Sequence, residues 1–130
     1  MAGNVLVDSS YYIDRLRADV DPLEELTELA EEWDLMTCGV VVTEVLRGMR
    51  HKTAHRRMAD YFECMLYLPT HNRTWERVAR LAWEQDRRGL PMQVTDLVIA
   101  TCALEHDAAV LTFDSDFSRV PGLRTLRTLG

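Results

Sequence analysis

The feature that most constrains this chain is a set of short apolar runs: "NVLVD" at residues 4–8, "LMTC" at 35–38 and "AVLT" at 109–112. Each is too short for a helix and none alternates with polar residues, so each suits a strand covered on both faces, as in a parallel sheet between helices. The intervening segments carry helical spacing. An amphipathic helix is expected over residues 9–17 and a second, acidic one over 22–33, with Asp21 as N-cap and Pro22 in the first turn. Further helices are expected over 39–50, over "TAHRRMADYFECM", where Ala54, Met58, Tyr61, Phe62 and Met65 recur at helical spacing, and over 72–88. In the last of these Trp75, Val78, Leu81 and Ala82 share a face and Gly89 is the stop signal. "LYLP" reads as a weak strand, Thr95 introduces the apolar helix "DLVIATCALEH", "DSDFSRV" forms a short turn or helix, and "LRTL" is a last extended piece. The fold class is therefore α/β, with a parallel or mostly parallel sheet sandwiched by helices. With no repeat and no linker, residues 1–130 read as one domain.

Composition narrows the setting. No run approaches the roughly 18 apolar residues of a membrane span, and the N-terminus lacks the layout of a signal peptide, so a cytoplasmic protein with no membrane partner is expected. Cys38, Cys64 and Cys102 are odd in number, far apart and set among apolar neighbours, which reads as buried free thiols in a reducing compartment. The net charge of −6 argues against a general nucleic-acid coat. Its distribution is uneven, because residues 14–34 hold nine carboxylates against Arg15 and Arg17, leaving the remainder near neutral. Within that remainder "RGMRHKTAHRR" gathers Arg47, Arg50, Lys52, Arg56 and Arg57 with His51 and His55. Alone this is a solvated helix surface; beside an acidic site it becomes a phosphate-binding flank.

Acids occupy the places where an α/β sheet binds ligands, beyond the carboxyl ends of the strands. Asp8 ends the first run, Asp114 and Asp116 follow "AVLT", Asp96 opens the apolar helix, and Glu44 stands among apolar helix neighbours. Each strand-end or helix-start acid also has a purely structural reading: Asp8 as a helix cap, Asp96 as a macrodipole partner, Asp114 in an Asx-turn. Glu44 has no capping duty and must find a partner. Convergence changes the weighing, since two carboxylates about 4 Å apart repel by about 4 kcal/mol at an effective dielectric of about 20. A divalent cation resolves this, and a set of hard oxygens with no histidine selects Mg²⁺ or Mn²⁺ over zinc. Such a pocket reads as a metal-dependent phosphodiesterase. A phospho-acceptor receiver domain would need a lysine at a strand end, and the one lysine, Lys52, lies in the basic segment. A haloacid-dehalogenase-type phosphatase would need an aspartate where Ser10 stands, and no glycine-rich phosphate loop follows any strand.

Taken in order, "VLVDSSYYI", "VVTEVLRG", "VTDLVIATCA" and "VLTFDSDFSRVPGL" resemble PIN domains, and among them the ribonuclease toxins of VapC type, over residues 4–123. The resemblance implies a PIN-like three-layer α/β/α sandwich and an Mg²⁺- or Mn²⁺-dependent endoribonuclease that cleaves structured RNA such as tRNA or rRNA. It assigns Asp8, Glu44 and Asp96 to the acids around the metal, with Asp114 ranked before Asp116 as the fourth and Ser10 as a supporting hydroxyl. It also implies a cognate VapB-type antitoxin, for which the acidic helix over 22–33 is a docking surface if it is more than a solubilising face, and a homodimer. Cys38 and Gly39 depart from the serine or threonine that starts the third helix in many relatives. The competing reading is a PIN-like module that binds RNA or protein without cutting, and loss of acids, its expected signature, is not seen here.

Overall fold

The computed structural model describes residues 3–127. Five strands, β1 (Gly3–Val7), β2 (Trp33–Cys38), β3 (Leu66–Leu68), β4 (Ala108–Leu111) and β5 (Thr125–Leu126), form one sheet in the order β3-β2-β1-β4-β5. Every pairing among the described residues is parallel. The connections carry α1 (Ser9–Arg17), α2 (Pro22–Leu29), α3 (Gly39–Arg47), α4 (Lys52–Glu63), α5 (Asn72–Arg87) and α6 (Val94–Glu105), and a 3₁₀ turn spans Ser115–Arg119. The chain steps outward from β1 through β2 to β3, then returns to lay β4 on the other side of β1. With the right-handed crossovers that parallel strands require, this reversal places α1–α4 on one face and α5 and α6 on the other. It also opens a crevice beyond the ends of β1 and β4.

Register fixes what stands at that crevice. Val7 pairs with Leu111, and the Asp8 N–H donates to the Leu111 carbonyl at 2.9 Å, so Asp8 and Thr112 leave the sheet side by side. The core beneath is continuous: Val5, Leu6 and Val7 of β1 and Val110 and Leu111 of β4 are buried, as is every residue of α6 from Leu97 to Ala103. A helix apolar all round can only be a core helix, and its burial sets Asp96, in its first turn, at the crevice rim. Asp21 caps α2 by accepting from the Leu23 N–H, with Pro22 in the first turn. Gly89, at φ +74°, takes the left-handed position that ends α5. No helix among the described residues is long and apolar enough to cross a membrane.

Several expectations are corrected. The acidic helix stops at Leu29 rather than residue 33, because Trp33 and Asp34 already pair with Gly3 and Asn4 in the sheet. The third helix ends at Arg47, with Gly48 as its C-cap. Trp75 is exposed at 46%, because the buried arc of α5 is centred on Thr74, Val78 and Gln85 and Trp75 falls to one side of it. Cys38 and Cys102 are buried free thiols, but Cys64 is exposed at the C-cap of α4, where its thiol donates to the Asp60 carbonyl.

Two substitutions in α6 test this packing. Ile99→Ala, at a fully buried site, is expected to cost about 2–5 kcal/mol of unfolding free energy. Thr101→Val is expected to stabilise by about 1 kcal/mol, because the buried Thr101 hydroxyl has no hydrogen-bond partner. Urea melts check both, and a destabilised Thr101→Val would mean that the hydroxyl is satisfied after all.

Candidate active site

Asp8 occupies the N-cap position of α1, yet its side chain caps nothing. Only 2% exposed, it accepts hydrogen bonds at Oδ2 from the Ser10 hydroxyl (2.7 Å) and the Thr112 hydroxyl (2.8 Å). The cap reading therefore fails, and the carboxylate is fixed by groups from two strand ends. Thr112 Oγ1 also accepts from the Asp114 N–H at 2.9 Å, and Ser10 Oγ accepts from the Phe113 N–H at 3.1 Å. This stitches the segment after β4 to the start of α1. Asp114 keeps its structural role as well, since its Oδ1 accepts from the Asp116 N–H and caps the 3₁₀ turn. Glu44 finds its partner in Ser9, whose buried hydroxyl donates to Oε1 at 2.9 Å and lies 3.5 Å from Asp8 Oδ1.

One carboxylate oxygen each from Asp96, Asp114 and Asp116 lies within 4.8 Å of the others. The Asp96 carboxyl is pushed up from its ordinary 3.8 to about 7, first by burial and then by the charges of Asp8, Asp114, Glu44 and Asp116. Every acid singled out in the sequence thus acts electrostatically on Asp96, and Asp114 and Asp116 both stand with it. Asp8, Ser10, Asp96 and Asp114 line one open cleft of about 450 Å³, together with Arg17 and Gln93. A donor set of carboxylate oxygens only, closely spaced and with one member raised toward neutrality by burial and then by its acidic neighbours, fits a hard divalent cation.

The basic segment is placed differently from the acids. Arg47 follows Glu44 by about one turn on α3, and Lys52, Arg56 and Arg57 lie exposed on α4. None of Arg47, Arg50, Lys52, Arg56 and Arg57 lines the cleft, and Arg57 is bound to Asp21 at 2.7 Å, clamping α4 to the start of α2. The cation at the rim is Arg17 instead. Sequence reasoning also passed over Ser9 and Thr112. Thr112 reads as the tail of an apolar strand, and its hydroxyl gains meaning only once β4 lies beside β1.

A PIN domain family model matches residues 5–123. A ribonuclease VapC21 of Mycobacterium tuberculosis is 27% identical over 101 residues, which cover 75% of this chain and 73% of that protein. The structure of VapBC2 from Rickettsia felis bound to a DNA fragment from their promoter superposes with a TM-score of 0.77 at 20% identity, covering 95% of this chain and 97% of that one. That of Mycobacterium tuberculosis VapC20, a sarcin-ricin loop cleaving toxin, gives 0.72 at 18% identity, covering 95% and 99%. At these identities the solved structures share the fold.

The raised Asp96 carboxyl has a sign that can be measured. Its folded-state pKa lies above the unfolded value, so its ionisation opposes folding: the penalty is absent below about pH 4, grows through about pH 7 and is constant above. In metal-free protein, Asp96→Asn should therefore melt increasingly above wild type as pH rises from about 4 to about 7, with a constant difference beyond. A difference independent of pH would show that Asp96 does not carry this repulsion.

Proposed function

The chain belongs to the PIN domain family, and on that premise we propose that it is a metal-dependent endoribonuclease, the toxin of a cytoplasmic toxin-antitoxin pair. The observation that carries this reading is the convergence of Asp96, Asp114 and Asp116 within 4.8 Å, in the field of Asp8 and Glu44. The ribonuclease name of the 27% identical relative supports the reaction class, and the neighbour that cleaves a sarcin-ricin loop supports structured RNA as substrate. Neighbours solved as VapBC complexes support a VapB-type antitoxin as partner. A homodimer is proposed on the family resemblance alone.

Asp96, Asp114 and Asp116 would hold Mg²⁺ or Mn²⁺, with Asp8 beside them. When bound, such an ion supplies Lewis-acid polarisation of a phosphoryl oxygen and lowers the pKa of a water. The chain's own residues do the remaining work. Ser10 and Thr112 occupy Oδ2 of Asp8 and fix the direction of that carboxylate. Ser9 holds Glu44 by Oε1 and lies 3.5 Å from Asp8 Oδ1, so that it orients the two carboxylates relative to each other. Arg17 at the rim pairs with a phosphate flanking the scissile one.

Purified, antitoxin-free protein with Mn²⁺ is expected to cleave total cellular RNA. Asp96→Asn or added EDTA should each reduce the rate by about 100-fold or more, and Thr112→Val by about 10–100-fold through loss of support to Asp8. Equal cleavage in all samples would indicate a contaminating nuclease. Binding without cleavage by wild type would favour the non-cutting RNA-binding module.

A further inference from the structure

We propose that the outward face of α5 is a second RNA-contacting surface, on which Arg73, Arg80, Trp83 and Arg87 hold a single-stranded arm of the substrate as it leaves the cleft. This rests on the ribonuclease reading above and names a contact that the acidic cluster cannot make. At 100° per residue the arc opposite the buried Thr74, Val78 and Gln85 comprises Asn72, Arg73, Glu76, Ala79, Arg80, Trp83 and Arg87, three cations to one acid on a chain of net charge −6. Arg77, to one side, is bound to Glu105 of α6. Arg73, Arg80 and Arg87 form no ion pair among the described residues, although Glu76 and Glu84 stand at helical spacing from them. Trp83 is 59% exposed, and the Arg87 guanidinium lies 4.8 Å from its ring centroid, covering one face of the indole and leaving the other to water. An exposed indole among unpaired arginines is the combination that binds single strands, stacking a base while guanidinium groups take the phosphates.

The position of the stripe fits that role. Gln85 Nε2 and Arg88 Nη1 both reach the Arg119 carbonyl, at 3.4 and 3.5 Å, and Arg119 pairs with Asp116 of the acidic cluster at 3.4 Å. Gln93, the N-cap of α6 six residues after α5 ends, lines the cleft. The C-terminal end of α5 therefore abuts the candidate active site, and from Arg87 back to Arg73 the stripe extends about 21 Å away from it. A carboxylate-lined cleft repels a polyanion, so cations outside it must supply the attraction that brings RNA in.

The test uses Asp96→Asn protein in metal-free buffer, so that RNA is bound and not cut, and measures fluorescence anisotropy with single-stranded RNAs of about four and about sixteen nucleotides. For the long RNA, Trp83→Ala and the pair Arg80→Ala/Arg87→Ala should each weaken binding about five-fold or more. The arginine pair should also flatten the slope of log K against log salt by about 1.4. The short RNA should bind all variants alike, and Trp83→Phe and Arg80→Lys/Arg87→Lys should restore binding of the long one. Circular dichroism should be unchanged throughout, as these side chains are exposed. If the parent binds long RNA and the α5 variants bind it equally well, the stripe is overturned, the ribonuclease reading stands, and the arginines await an acidic protein instead. If the parent binds neither RNA, the ribonuclease reading falls and the stripe with it.

Discussion

Mutual repulsion of carboxylates at one sheet edge is the constraint around which this molecule is organised. A pair of such charges about 4 Å apart costs about 4 kcal/mol at an effective dielectric of about 20, and the Asp96 carboxyl is raised first by burial and then by four neighbouring acids. A fold of 130 residues has a net stability on the order of 10 kcal/mol, so an unrelieved cluster is a large fraction of it. The chain carries this cost in two ways. Hydroxyls from Ser9, Ser10 and Thr112 donate into Asp8 and Glu44, and the buried α6 anchors Asp96 through apolar packing that charge cannot easily disturb.

The same constraint explains the division between strand ends and connections. The β1/β4 pairing puts Asp8 level with Thr112, and the turn after Thr112 then delivers Asp114 and Asp116 from the same side. The hydroxyl network joins the supports of Asp8, Glu44 and Asp114 across both strand ends. The candidate site thus rests on a few residues held by the packing, while the helices around it differ in charge, acidic on α2 and weakly basic on α4 and α5.

Much of this was legible before any coordinates. Short unbroken apolar runs can only be doubly covered strands, so the α/β class followed directly, and Asp21–Pro22 and Gly89 marked helix ends because capping chemistry is local. What could not be read depended on contacts distant in sequence. The end of the acidic helix was set by pairing of Trp33 with Gly3, and the role of Thr112 by a partner 104 residues away. The basic segment is a case apart: adjacency of Arg47–Arg57 to Glu44 in sequence does not put these side chains in the cleft lining, and Asp21 holds Arg57 on the start of α2.

The central claim is that the acids are held together in order to be neutralised by a divalent cation. Isothermal titration of Mn²⁺ into metal-free protein tests it without reference to any substrate. Saturable binding that releases protons near pH 7, where Asp96 is partly protonated, and that is abolished by Asp96→Asn, is the predicted result. Heats no greater in wild type than in Asp96→Asn would contradict the account and leave the cluster without its stated purpose.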